Sequence, residues 1–151
     1  MKQTNERERP YELVLSVDDN PIDRYICGTI VKKFNFAKRF IEFDMATKAL
    51  DYLRENADIP ENIPQIIFLD INMPGMNGFE FLEEASKLSV LIKNTCCIVM
   101  LTSSLNPDDR ERAKRSTIVK EFINKPLSQN KLDEVELIFE NYFGKDELKI
   151  V

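Results

Sequence analysis

Five residues in this chain are of types that handle phosphate or metal ions, and each stands at the end of a short apolar run. Tyr11–Val17 runs into Asp18 and Asp19, 65–69 into Asp70, 96–101 into Thr102, and 118–124 into Lys125 followed by Pro126. Asp18, Asp19 and Asp70 offer oxygen alone, a donor set that suits Mg2+. Two like charges ~4 Å apart repel by about 4 kcal/mol at an effective dielectric of ~20, so three such carboxylates in one place call for a cation or a raised pKa. An ionised aspartate beside a divalent ion can attack phosphorus, with Lys125 neutralising the phosphoryl oxygens and Thr102 donating a hydroxyl to them. Singly, each residue also fits a cap, a turn or a solvated surface. Their shared position at strand ends is the signal.

The elements that would bring them together are legible in the hydrophobic pattern. Apolar runs of strand length alternate with helical patterns, which predicts βαβ units around a parallel sheet. Strands are expected at Tyr11–Val17, 39–43, 66–69, 97–101 and 118–123. A helix from Pro21 to Lys33, capped by Asn20, is expected to bury Ile22, Tyr25, Ile26, Thr29, Ile30 and Phe34. A second helix is marked by Ala46, Ala49, Leu50 and Leu53, and a third by Phe81, Leu82, Ala85 and Leu88. Residues 107–115 form a fourth, opened by Asn106 and Pro107, with Ala113 almost alone as an apolar anchor. The last helix is expected to bury Leu132, Val135, Ile138, Phe139 and Tyr142. Proline-rich 57–64 reads as a loop. In such an open parallel sheet the carboxyl ends of the strands line one crevice, where ligands bind.

Composition narrows the choices. The 151 residues suit one domain, expected at 11–143 between polar segments at 1–10 and 144–151. A net charge of -5 argues against nucleic acid as a partner. No apolar run approaches the ~20 residues of a membrane span. The start lacks the apolar stretch of a secretory signal, so a cytoplasmic location is expected. Lys145 to Leu148 spells an endoplasmic-reticulum retention signal, but it is not terminal. Cys27, Cys96 and Cys97 read as buried thiols, since their spacing is not that of a metal site. With no histidine anywhere, imidazole chemistry must come from a partner.

In order and spacing, these segments carry a family resemblance. Leu-Ser-Val-Asp-Asp-Asn ends at Asn20, and Phe-Leu-Asp-Ile-Asn-Met-Pro-Gly-Met-Asn-Gly spans 68–78. Met-Leu-Thr-Ser follows at 100–103, and Phe-Ile-Asn-Lys-Pro-Leu at 122–127. From about Tyr11 to Phe143 the chain resembles a response-regulator receiver domain of two-component phosphorelay signalling, a CheY-like module. The resemblance implies a doubly wound (βα)5, flavodoxin-like, three-layer α/β sandwich with strand order 2-1-3-4-5. It implies Asp70 as phosphoacceptor, and Asp19 as a Mg2+ ligand with Asp18 acting mainly through water. The Asn72 backbone carbonyl would complete the protein's share of the shell, and Mn2+ could substitute for the metal. Lys125 becomes the phosphate partner, Thr102 the switch hydroxyl and Phe122 the switch aromatic, and the peptide before Pro126 is expected to be cis. On this reading phosphorylation draws Thr102 inward, and Phe122 fills the space it leaves.

The expected function is a stand-alone receiver, since no output module follows Phe143, with self-catalysed phosphoryl transfer and autodephosphorylation but no separate enzymatic role. A sensor histidine kinase or histidine phosphotransfer protein would supply the phosphoryl group, and a protein target would read the result. The chain would be a monomer or a phosphorylation-dependent dimer. A haloacid-dehalogenase-type Mg2+-dependent phosphohydrolase is a second reading. That chemistry wants a second carboxylate two residues after the nucleophile, where this chain has Asn72, and a nucleophile near the first strand. A flavodoxin-like cofactor binder is a third, but two acids stand where its phosphate loop would be.

Overall fold

The computed structural model describes residues 10–144. The expected polar segments therefore lie almost wholly outside the described residues, as does the sequence 145–148. Five strands, β1 (Tyr11–Val17), β2 (Ala37–Phe43), β3 (Ile66–Leu69), β4 (Cys97–Thr102) and β5 (Val119–Asn124), form one parallel sheet of order β2-β1-β3-β4-β5. Winding runs outward in opposite directions from β1 and β3, so their carboxyl ends flank the point where the topology reverses. The pattern predicts a parallel sheet, and the strand order is the doubly wound one that the family resemblance implies.

Alternate residues of the strands feed two cores, as the two-residue period of a strand requires. Leu13, Leu15, Val17, Ile67, Leu69 and Met100 face α2 (Ala46–Glu55), α3 (Gly78–Ala85), α4 (Val90–Thr95) and α5 (Pro107–Lys114). Val14, Phe68, Val99 and Ile123 face α1 (Pro21–Lys33) and α6 (Gln129–Phe139). Both faces of β3 and β4 are covered, which explains their unbroken apolar sequence.

Four expectations need correction. The buried stripe of α1 is Cys27 and Val31, flanked by Ile30 and Phe34, whereas Ile22 and Tyr25 are 68% and 74% exposed. At about 3.6 residues per turn, Ile22 and Tyr25 fall on the side of α1 away from Cys27 and Val31 and so face solvent. Tyr142 is 55% exposed because the chain leaves α6 through a π-helical turn at Glu140–Gly144, and its ring instead meets the Lys120 ammonium at 4.8 Å. The loop at 57–64 contains a 3-10 turn, Pro60–Asn62. Finally, α4 adds a helix to the simple (βα)5 pattern; it is capped by Ser89 and buries Ile92. Among the described residues no helix is long and apolar enough to cross a membrane.

Candidate functional site

The sheet's hydrogen bonding continues beyond its strand ends and sets the crevice. Asp18 N donates to Phe43 O at 3.0 Å, Asp70 N to Val17 O at 3.0 Å, and Lys125 N to Thr102 O at 2.8 Å. Each chemical residue is thus held by its neighbouring strand. Beneath Asp70, Gly78 N donates to Ile71 O at 2.8 Å, which seats the start of α3 against the loop. A Cβ at Gly78 would collide with the Asp70 carbonyl oxygen and come within 2.9 Å of Ile71 Cα, so only glycine allows this approach. Asn77 and Glu80 close a capping box over the same helix start.

One carboxylate oxygen from each of Asp18, Asp19 and Asp70 lies within 4.8 Å of the others. Lys125 Nζ reaches Asp18 Oδ2 at 2.7 Å and Asp70 Oδ2 at 3.4 Å. The free oxygens are few, because Asp70 Oδ1 accepts from Ile71 N at 2.8 Å and Asp18 Oδ1 from Asn20 N at 2.9 Å. Asp70 Oδ2 therefore points to the crevice, an open space of about 400 Å3 lined by Asp19, Asp70, Asn72 and Lys125 among others. Asp18 is buried behind it. Thr102 is also buried, and Ser103 lines the crevice in its place.

Burial, then the charge of Asp18, pushes the Asp70 carboxyl up to about 6 against the opposing pull of Lys125. Burial alone would lower the Lys125 ammonium, but hydrogen bonds to Asp18 and Asp23 and the charge of Asp70 more than reverse this and hold it well above its usual value. The acids are thus undercompensated while the lysine is fully charged. An all-oxygen donor set with surplus negative charge fits a hard divalent cation such as Mg2+.

Two residues at the site escaped sequence reading. Asp23 Oδ2 accepts from Lys125 Nζ at 2.7 Å. The available signal was its spacing, four residues after Asp19 on a predicted helix, which turns it back toward the strand end. Lys131 donates to Asn124 O at 2.6 Å and Pro126 O at 2.9 Å, clamping the backbone on both sides of Lys125. The Lys125–Pro126 peptide is cis.

The expected switch pair lies along one connected path. Thr102 Oγ1 accepts from Ser104 N at 3.1 Å, which leaves its O–H free to donate. Ser104 Oγ donates to Asp109 Oδ2 of α5 at 2.5 Å. On the next residue of α5, the Arg110 guanidinium stacks 4.6 Å from the Phe122 ring. Phe122 is only 8% exposed, with the Arg110 guanidinium as its outer cover.

A parallel sheet wound in this order, with acids and a lysine meeting at its carboxyl edge, defines a CheY-like module. The family model for the response regulator receiver domain matches residues 14–135, and the chain belongs to that family, whose members serve two-component response regulators. It is 31% identical over 140 residues to a probable methanogenesis regulatory protein, FilR2, of Methanothrix harundinacea, covering 92% of this chain and 88% of that one. A crystal structure of a two-component response regulator from Cytophaga hutchinsonii superposes with a TM-score of 0.81 at 30% identity, covering 88% of this chain and 99% of the other. Hybrid signal transduction histidine kinase C of Dictyostelium discoideum is 27% identical over 139 residues, which make up 89% of this chain and 11% of the kinase. The module thus occurs within kinases as well as regulators.

Proposed function

We propose that Asp70 of this receiver accepts a phosphoryl group from a phosphohistidine on a partner, a sensor histidine kinase or a histidine phosphotransfer protein. The observation that carries this reading is Lys125 Nζ set between the carboxylates of Asp18 and Asp70, with Asp70 Oδ2 open to the crevice. Asp70 Oδ2 forms the new bond to phosphorus as the bond from phosphorus to the donor imidazole nitrogen breaks, and that nitrogen keeps the electron pair. The histidine belongs to the partner, because this chain has none. Lys125 then pairs with a phosphoryl oxygen, and the free Thr102 O–H turns to another. Mg2+, or Mn2+ in its stead, would be held by Asp19, Asp70, the Asn72 carbonyl and, through water, Asp18, and would supply positive charge to the transferred oxygens.

Output follows from the path out of the crevice. A Thr102 hydroxyl drawn to the phosphoryl group changes its bond with Ser104, and Ser104 holds α5 through Asp109. The position of α5 sets how Arg110 covers Phe122, so the surface offered to a protein target changes. Incubation with acetyl phosphate and Mg2+ should place an acid-stable, base-labile phosphate on Asp70, located by mass spectrometry of peptides. The same label on an Asp70→Asn protein, or steady hydrolysis of phosphomonoesters by the unmodified chain, would defeat the proposal.

A further inference from the structure

Three carboxylates, Asp18, Asp23 and Asp70, meet the Lys125 ammonium, and they do not hold it equally. Lys125 Nζ sits 2.7 Å from both Asp18 and Asp23 but 3.4 Å from Asp70. Asp18 belongs to the acid cluster that a divalent ion would engage; Asp23 does not. A cation in that cluster therefore weakens the claim of Asp18 on the lysine and leaves the claim of Asp23 intact. The guanidinium of the next residue, Arg24, is turned to the Asp18 carbonyl oxygen, to which Nη1 donates at 2.8 Å. Asp23 also lines the crevice itself, and its side chain is less than one-third exposed, so water screens it only in part.

We propose that Asp23 competes with the phosphoryl group for Lys125, so that this receiver binds and keeps that group less tightly than its acceptor aspartate would otherwise allow. The inference rests on Asp70 being the phosphoacceptor. To reach an oxygen on phosphorylated Asp70, the ammonium must give up a charge-assisted hydrogen bond to Asp23. The released carboxylate then remains at the crevice, facing a dianionic group. Both effects oppose the phosphorylated state, and both disappear with the Asp23 charge. Asp23 is thus a positioning residue acting through Lys125, and its influence is to restrain.

Beryllofluoride, which takes the place of a phosphoryl group on aspartate, tests this with the full chain in saturating Mg2+. The bound species is counted by fluorine NMR. Asp23→Asn and Asp23→Ser should each bind it roughly three- to tenfold more tightly than the unmodified protein, while Asp23→Glu, which restores the charge, stays near the original affinity. A pair in direct, half-buried contact is poorly screened, so the gain should survive at about 0.5 M salt. Unchanged or weaker binding in the Asn and Ser variants overturns the proposal, and so does a gain that vanishes in salt, which marks diffuse repulsion. Loss of the folded circular dichroism in both variants would make Asp23 purely structural and would overturn it as well. If the unmodified protein binds no beryllofluoride, the phosphoacceptor assignment itself fails, an outcome separate from any difference among variants.

Discussion

Burial and the neighbouring charge of Asp18 raise the Asp70 carboxyl from the usual 3.8 to about 6. Because the folded value lies above the unfolded one, the native state holds a proton that the unfolded chain has released between those limits. The contribution of Asp70 to stability is therefore fully present below about pH 4 and is lost as pH rises through about 6. A shift of this size, in which the pull of Lys125 is already included, corresponds to at most ~3 kcal/mol. In the absence of divalent ions, Asp70→Asn should thus be more stable than the parent by up to that amount at pH 7, with the difference closing by pH 4. Denaturant unfolding of both proteins across this range measures it, and a constant difference would refute it. At this scale Asp18, Asp19, Asp70, Thr102 and Lys125 were legible because acids, a hydroxyl and an amine end apolar runs. Asp23 and Lys131 were not, because a single charged residue on a helix looks the same whether it faces solvent or folds back onto a strand end, near in sequence for Lys131 and 102 residues away for Asp23.

At the scale of the element, the helices differ in how firmly they are held. Gly78 allows α3 to sit against the backbone of Asp70 and Ile71. Gly78→Ala must push that loop away, and it should cost about 1–3 kcal/mol in stability and weaken Mg2+ binding by more than tenfold. Calorimetric titration with Mg2+ checks the second effect; unchanged affinity in a destabilised variant would separate α3 docking from the acids. In α5 the contacts are of another kind. Ala113 is its one fully buried residue, but Arg110 covers Phe122 and Arg112 covers Phe79 at 4.2 Å. The nearly lone apolar anchor expected from the sequence is thus reinforced by two arginines laid over aromatic rings. Sequence periodicity failed at α4 because six residues span fewer than two turns. On α1 it failed because a repeat of every fourth residue drifts around a helix of about 3.6 residues per turn, which leaves Ile22 and Tyr25 on the side away from Cys27 and Val31. The strands were easier, since near-continuous apolar runs mark elements covered on both faces.

For the whole molecule, ligand and fold are linked through one edge of the sheet. The acids follow β1 and β3 and the ammonium follows β5, so a divalent ion binds the acids once β1 and β3 have paired and not the unfolded chain. Mg2+ at about 100 times its dissociation constant should add ~2.7 kcal/mol and raise the melting temperature by roughly 5–10 °C. Asp19→Asn should lose most of that rise in a thermal melt with and without Mg2+. An equal rise in Asp19→Asn and Asp70→Asn would mean that the ion binds elsewhere.

The order in which these parts are synthesised has its own consequence. Asp18, Asp19, Asp23 and Asp70 all precede Lys125, which follows the last strand. On the ribosome, a nascent chain whose first four strands have emerged carries the carboxylates with no lysine to meet them. Until the fifth strand docks, dissolved divalent ions are the charges at hand to quiet that repulsion. Cellular magnesium would then aid the maturation of this protein before it ever served its chemistry.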